Sequence, residues 1–254
     1  MIEAFGQSDV GRRRKLNEDS YAVAPDLGLF VVCDGMGGHN AGEVASSMAV
    51  ETLTTFIRES HALEFERIPW TFGVDASLSR EGNRIRTAIK LANERVFNAA
   101  NANAECAGMG TTVVASLVKE DLLTVGWAGD SRCYLLRAGE LTQLTRDDSW
   151  VSAAASEGIL SAEEIEHHPL RNIITKAIGA RDSIDVDLVE EALRPGDRAL
   201  LCTDGLHSMI GAAEILGCLN QAGDNIVQAV ERLIAAANEA GGKDNVSVVV
   251  LRCT

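Results

Sequence analysis

FVVCDGMGGHNAGEVAS, residues 30–46, joins an apolar run, a turn signal and the start of a helical pattern. The apolar run extends from residue 27 to residue 33 (LGLFVVC), which is typical of a buried strand. Asp34 and Gly35 then predict a turn, because Asp accepts local backbone hydrogen bonds and Gly adopts positive φ. Over residues 42–59, the following apolar side chains recur at helical spacing: Val44, Ala45, Met48, Ala49, Leu53, Phe56 and Ile57. This stretch therefore predicts a buried strand that ends in an acid, followed by a helix that covers one side of a sheet.

Other apolar runs predict further strands and helices on either side of this stretch. Residues 111–118 and 122–128 flank Lys119-Glu120-Asp121, which predicts a hairpin. The other predicted strands are residues 132–137, 198–202 and 245–251, and the other long helices are residues 82–101 and 224–239, the last with Ile226, Val227, Val230, Leu233 and Ile234 on its apolar face. Hairpins favour antiparallel pairing. The sequence thus predicts an α+β fold, a layered sandwich of two antiparallel sheets flanked by helices.

No linker, repeat or low-complexity tract divides the chain, so we expect one domain over residues 1–254. Residues 60–81 show no periodicity and are interpreted as a surface insertion. Residues 144–179 are mixed, with short helical patterns around residues 152–157 and 162–166.

Composition excludes several classes of function. The chain has 254 residues, of which 46% are hydrophobic and 24% charged, as in soluble globular proteins. The formal net charge of −14 repels nucleic acid and anionic lipid, and an aromatic content of 4% leaves few platforms for stacking bases. The sequence therefore argues against nucleic-acid and membrane partners, and the acidic residues suggest cation binding.

The six cysteines point to a reducing compartment. None lies in a C-x-x-C pair, and Cys33, Cys133, Cys202 and Cys253 lie in or beside apolar runs, as expected of buried free thiols. The first ten residues lack the basic and apolar segments of a signal peptide. We therefore expect a cytoplasmic protein.

Acidic residues recur where predicted strands meet turns. Asp34, Asp130, Asp204 and Asp244 each have this position, and Glu18-Asp19 precedes a short apolar run. Any one of them alone is explained by turn formation. Taken together, they favour a site for Mg²⁺ or Mn²⁺, which prefer oxygen ligands. No Cys pair or His-x-x-x-His pattern suggests zinc.

A basic run, Arg12-Arg13-Arg14-Lys15, precedes the first of these acids. Four residues are too few to indicate a nucleic-acid surface, and a solvated charge run explains them equally well. Beside carboxylates and cations, however, an arginine would suit an anionic substrate, because its guanidinium binds phosphate through two parallel hydrogen bonds.

The residues together resemble the metal-dependent protein phosphatases of the PP2C (PPM) family, in their bacterial Ser/Thr form. The segments that carry the resemblance occur in the family's order: SDVGRRRKLNEDS (8–20), FVVCDGMGGHNAGEVAS (30–46), GMGTTVVAS (108–116), WAGDSRCYLLRAGEL (127–141), LTRDDSWV (144–151), NIITKAIG (172–179), LLCTDGL (200–206) and GGKDNVSVVV (241–250). Eight ordered motifs across nearly the whole chain make the resemblance specific.

The resemblance implies an αββα sandwich with two Mn²⁺ or Mg²⁺ ions between the sheets. Asp34 would bridge both ions and Gly35 would offer its carbonyl to one of them. Asp204 and Asp244 would hold the other ion. In bacterial members a third, weaker ion is held at the position of Asp130.

Further roles follow from the same motifs. Glu18 and Asp19 would act through metal-bound waters or hydrogen bonds, and Arg14, in the R-x-x-N-E-D position, would bind phosphate. Residues 144–179 would include a flap beside the site. A metal-activated water would attack phosphorus directly, without a covalent intermediate on the protein.

The chain departs from the family at two positions. Animal members carry a His that acts as general acid where this chain has Met36, so we consider His39 or a metal-bound water for that role. The family often reads L-T-x-D-H-S where this chain has Asp148, which changes a contact of the flap.

The resemblance implies hydrolysis of phosphoserine and phosphothreonine in proteins, reversing Ser/Thr kinases, by a monomer. The expected partners are phosphorylated proteins, including a Ser/Thr protein kinase. Two alternatives remain: a phosphatase of a sigma-factor regulatory switch, and a pseudophosphatase that binds phosphoproteins without turnover. Ser131 lacks a base partner or a G-x-S-x-G elbow, which argues against a serine hydrolase. His207, after T-D-G-L, is assigned a packing or surface role rather than a place in the site.

Overall fold

The computed structural model describes residues 2–38, 41–160, 164, 168–170 and 173–254. One antiparallel sheet has the strand order β1-β11-β10-β7-β8, and its strands are β1 (Ile2–Asp9), β7 (Arg132–Arg137), β8 (Glu140–Gln143), β10 (Arg198–Cys202) and β11 (Val246–Cys253). The second has the order β2-β3-β5-β6-β9, with strands β2 (Asp19–Ala24), β3 (Leu29–Met36), β5 (Val113–Lys119), β6 (Leu122–Ala128) and β9 (Asp187–Ala192), while β4 (Gly110–Thr111) pairs with β3.

Helices cover the outer face of each sheet. The helices of the described residues are α1 (Ala41–His61), α2 (Arg80–Ala102), α3 (Trp150–Ser156), α4 (Asp204–His207), α5 (Ala212–Ala222) and α6 (Ile226–Glu239). Helices α1 and α2 share a hydrophobic core with β3 and β5, and α5 and α6 share another with β10 and β11. The predicted sandwich of two antiparallel sheets between helices is confirmed.

Strand β3 shows how side-chain alternation builds the layers. Val31 and Cys33 face the core under α1 and α2, whereas Phe30 and Val32 face a third core shared with strands of the other sheet. All four side chains are fully buried, because both faces of this central strand are covered. An unbroken apolar run is what such a strand requires.

Most of the predicted elements are present, but the turn predicted at Asp34 and Gly35 is wrong, because β3 continues through both residues to Met36. The hairpin of β5 and β6 turns at Glu120 and Asp121, with Glu120 in the left-handed region at φ 57°. The unpatterned segment 60–81 holds a short 3₁₀ helix, Phe65–Arg67, between α1 and α2. Two expected core residues, both in the first turn of their helix, are exposed: Val44 at 39% and Val227 at 41%.

Among the elements of the described residues, β1, β8, β9, α4 and α5 were not predicted. The helical pattern at residues 162–166 falls outside the described residues except for residue 164. In the part of the chain that the structure describes, no helix combines the length and apolarity needed to cross a bilayer. All six cysteines are free thiols.

Candidate metal and phosphate site

Strand pairing brings the predicted acids to one edge of the sandwich. Asp19 in β2 lies opposite Asp34 in β3. Asp204 follows β10 and Asp244 shortly precedes β11, and since these two strands are antiparallel neighbours, both acids lie at the same end. Burial raises the pKa of Asp34 well above its usual value, and Asp19, Asp204, Asp130 and Asp244 raise it further. The structure therefore gathers five aspartates close enough to influence one another.

Two glycines allow the backbone to pack closely beside these acids. The N–H of Gly35 donates to the carbonyl of Glu18 at 3.1 Å. A Cβ on Gly35 would lie 2.1 Å from the carbonyl oxygen of Gly42, and one on Gly42 would lie 2.3 Å from Oε1 of Glu18. No side chain fits at either position without moving the backbone or Glu18.

Threonine hydroxyls fix the backbone of Asp34. The Asp34 N–H donates to Oγ1 of Thr112 at 3.0 Å, and Oγ1 of Thr111 donates to the Asp34 carbonyl at 2.8 Å. The hydroxyls of Thr112 and Ser131 lie 2.7 Å apart. Ser131 is 1% exposed and is held in this network without a His or Lys base. It therefore supports the backbone of Asp34 through Thr112.

Several carboxylate oxygens of the site are buried without a hydrogen-bond partner. They are Oε1 of Glu18, Oδ1 of Asp19 and Oδ1 of Asp204. Burial, together with the neighbouring Asp204 and Asp244, raises the pKa of Asp19 to about 7. Burial likewise raises the pKa of Asp204. Buried carboxylates without donors are unfavourable unless protons or cations neutralise them. An oxygen-only set of this kind fits Mg²⁺ or Mn²⁺.

The acids make other contacts at present. Arg14 Nη2 donates to Oδ2 of Asp244 at 2.7 Å, and burial raises the pKa of both Asp34 and Asp204. Among residues 2–38, 41–160 and the other described parts, no three Asp, Glu, His or Cys side chains converge as a ready-made ligand set. The metal interpretation therefore rests on the donor chemistry and its burial.

The segment that carries Arg14 is held by Asn245, a residue that the sequence analysis did not single out. Its Oδ1 accepts the Glu18 N–H at 2.8 Å, and its Nδ2 donates to the carbonyls of Val10 at 3.0 Å and Leu16 at 2.9 Å. One buried amide thus fixes both ends of the basic run. The sequence signal that could have identified Asn245 is its position directly after Asp244 in the motif GGKDN.

We expect Asn245→Ala to lower the free energy of unfolding by about 2–3 kcal/mol, because three backbone groups lose their partner and a buried amide is removed. Urea denaturation in chelator measures this without a contribution from bound metal. Asn101→Ala is the matched control, since Asn101 is exposed and bonds only within its own helix. An equal loss for both variants would contradict the assignment.

Asp130 belongs to the acidic group, because its charge raises the pKa of Asp34. It is 8% exposed, and burial, assisted by Asp204, raises the pKa of its carboxyl to about 7. Its backbone carbonyl lies 3.0 Å from Nε2 of His207. Burial and Arg132 lower the pKa of His207 to about 3, so its imidazole is neutral and donates to that carbonyl. His207 thus has the expected packing role, although it lies directly behind the site.

Asp148, which stands where the family often has His, supports the same turn. Its Oδ2 accepts the Gly129 N–H at 3.0 Å, and its own N–H donates to the Gly129 carbonyl at 2.9 Å. Lys176 Nζ lies 3.1 Å from Oδ1 of Asp148 and also contacts Asp187. The acidic side chain therefore ties the beginning and end of the segment predicted as a flap to the Asp130 turn.

Two predicted features are not settled by this geometry. His39 lies outside the described residues. Within residues 144–179 the structure describes helix α3 and the stacking of Trp150 on His168, whose ring centroids lie 4.9 Å apart. The flap therefore stays a prediction.

Comparison with known proteins connects this geometry to a family. Residues 11–247 match the family described as "Protein phosphatase 2C". The chain is 33% identical over 253 residues to a serine/threonine phosphatase, stp, of Listeria welshimeri, an alignment that covers 98% of this chain and 95% of that protein.

Solved structures agree with the fold. A crystal structure of the Mycobacterium tuberculosis serine/threonine phosphatase PstP/Ppp superposes with a TM-score of 0.86 at 34% identity, covering 99% of this chain and 98% of the other. A catalytic domain of a protein phosphatase PstP in complex with two manganese ions has a TM-score of 0.80 at 34% identity, covering 99% and 97%.

Proposed function

Since the chain belongs to the protein phosphatase 2C family, we propose that it hydrolyses phosphoserine and phosphothreonine in proteins and so reverses the action of Ser/Thr kinases. The observation that carries this proposal is the group of buried, partly unpaired carboxylates beside Arg14. Oxygen ligands and an arginine fork together suit a divalent cation and a phosphoryl group. The solved relative with two manganese ions supports the metal part of the proposal.

Asp34, Asp204 and Asp244 are the residues that would hold two Mn²⁺ or Mg²⁺ ions, together with the backbone carbonyl of Gly35. When bound, such ions activate water and neutralise phosphoryl oxygens. Glu18 and Asp19 add buried acceptors around the ligands. The threonines under Asp34 hold its backbone in place, so that little reorganisation is needed when a substrate arrives.

The Arg14 side chain is half exposed, and its guanidinium contacts Asp244 of the acidic group. It would bind the substrate's phosphoryl oxygens and orient the phosphorus toward the carboxylates. This requires Arg14 to exchange its present contact with Asp244 for the substrate, as Asp244 becomes a metal ligand. Met36 cannot donate a proton, so the leaving alkoxide would take its proton from water or from His39.

The test is phosphate release from a phosphothreonine peptide with Mn²⁺, with Mg²⁺ or with excess chelator. Turnover in either metal and none in chelator is expected. Binding of the peptide without turnover in any metal would favour the pseudophosphatase alternative. Selectivity for a single phosphorylated regulator would favour a sigma-factor switch phosphatase.

Asp130→Ala is expected to lower turnover about tenfold while two metal ions remain bound, because Asp130 is not one of the residues proposed to hold those two ions. A peripheral role would include a third, weaker ion. Crystals of the variant grown with Mn²⁺ give the number of ions. Loss of both central ions would contradict this role.

A further inference from the structure

Resting on the proposed phosphatase function, we propose that a basic rim selects phosphorylated segments whose neighbouring side chains are negatively charged. The basic rim consists of Arg12, Arg13, Lys15 and Lys243. It lies next to Arg14 on an otherwise acidic protein, and its cations are free to meet an anionic partner.

The rim is assembled from two loops that pack on each other. The backbone N–H groups of Arg12 and Arg13 donate to the Gly242 carbonyl at 2.7 and 3.2 Å. A Cβ on Gly242 would lie 2.8 Å from the Arg12 nitrogen, so the loops approach too closely for a side chain there. Lys243 follows directly and precedes Asp244, which contacts Arg14. The four cations therefore flank the group that would bind the phosphate.

Among the residues that the structure describes, the rim cations have no acidic partner. All four side chains are exposed, and within the described parts of the chain none of them forms an ion pair. The nearest acid of the segment, Asp9, instead accepts from the Gly11 N–H at 2.8 Å and from Asn238 at 3.1 Å. A substrate would therefore meet these charges without displacing an internal salt bridge.

The negative net charge of the rest of the protein makes the basic rim the surface that an acidic segment prefers. With 37 acidic against 23 basic residues, the protein repels an acidic segment over most of its surface. Each exposed contact with the rim contributes little by itself, but several act together on the same segment. Because such contacts are made outside the reacting phosphate, they should act mainly on KM and weaken with salt.

The experiment compares phosphothreonine peptides that differ only in their flanks: neutral, Asp/Glu-rich, or carrying a second phosphate. We expect kcat/KM at low salt to be about tenfold higher for an anionic flank than for the neutral one. The ratio should fall toward one in about 0.5 M salt and in the combined variant Arg12→Gln, Arg13→Gln, Lys15→Gln, Lys243→Gln. Because it is a ratio within each protein, a general loss of activity cancels. The larger ratio identifies carboxylates or phosphates as the preferred charge.

Arg58→Gln with Lys119→Gln is the matched control, because both residues are exposed and lie at the far ends of α1 and β5. This variant should keep the wild-type ratio. A wild-type ratio near one, or an unchanged ratio in the rim variant, would overturn the rim proposal alone. Failure to hydrolyse every peptide and also p-nitrophenyl phosphate in Mn²⁺ would overturn the proposed function, and the rim proposal with it. Inhibition by an RNA oligonucleotide but not by an acidic peptide would point to a different partner and would also overturn it.

Discussion

Asp34→Asn abolishes phosphate release, lowering kcat by at least about 10³-fold, since loss of one electrostatic stabiliser alone typically costs 10²–10³. Asp34 lies at the centre of the group, with its pKa raised by burial and by four other aspartates. Asp34 would hold the cations together with Asp204 and Asp244, and none of the described neighbours could replace it. Phosphopeptide turnover in Mn²⁺ measures the effect, and Asp34→Ala should behave in the same way.

The same substitution should stabilise the chelator-treated protein. A carboxyl whose pKa is raised in the folded state contributes stability below its unfolded pKa near 3.8, and that contribution is lost as pH rises through the folded value. Asn cannot ionise, so at pH 7 Asp34→Asn should have a higher Tm than the wild type in chelator. A variant that is both less stable and inactive would indicate a structural role, and wild-type turnover would contradict the assignment.

Arg14→Ala lowers kcat/KM for phosphopeptides by about 1.5–3 kcal/mol, roughly 10- to 150-fold, the scale of a charge-assisted hydrogen bond. Its contact with Asp244, an acid of the site, distinguishes Arg14 from Arg12 and Arg13. Arg14→Lys should have a kcat/KM little higher than that of Arg14→Ala, since a bidentate contact depends on the planar guanidinium. Steady-state kinetics with one phosphothreonine peptide measures the loss.

Arg12→Ala and Arg13→Ala are the controls for this prediction. Each of these substitutions should lower kcat/KM much less than Arg14→Ala on a peptide with neutral flanks, and the loss should become smaller as salt is added. Equal, salt-sensitive losses at all three positions would show that Arg14 acts only as part of a diffuse charge. Because Arg14 contacts Asp244, Mn²⁺ affinity must also be measured in Arg14→Ala, and it should change little.

The central layers were predictable because their signals are local. The apolar run that ends at Asp34 forms β3, a strand covered on both faces, and the hairpin around Glu120 needs only adjacent residues. Strands β1 and β9 escaped prediction because they are edge strands, whose half-buried side chains weaken the apolar pattern. Helix α5 is short and carries Gly217 in its interior, which lowers helical propensity.

The acids of the site were predictable as a set, but not their contacts. Asp34 and Asp204 carry the same turn signal as many surface aspartates, and their proximity depends on how two separate strand pairs meet. Asn245 forms bonds to residues more than 220 positions away, which no local pattern encodes. The support of the Gly129 turn by Asp148 likewise depends on tertiary structure.

Calorimetric titration of the chelator-treated, dialysed protein with Mn²⁺ at pH 7 tests most directly whether this acidic group holds the cations of the reaction. The account predicts saturable binding of about two ions per chain, the number typical of such hydrolases. It also predicts proton release, seen as a dependence of the heat on the buffer, because carboxyl groups whose pKa is raised by burial must ionise to bind metal. Asp34→Asn should lose this binding. Equal binding by wild type and Asp34→Asn, or none by either, would contradict the account.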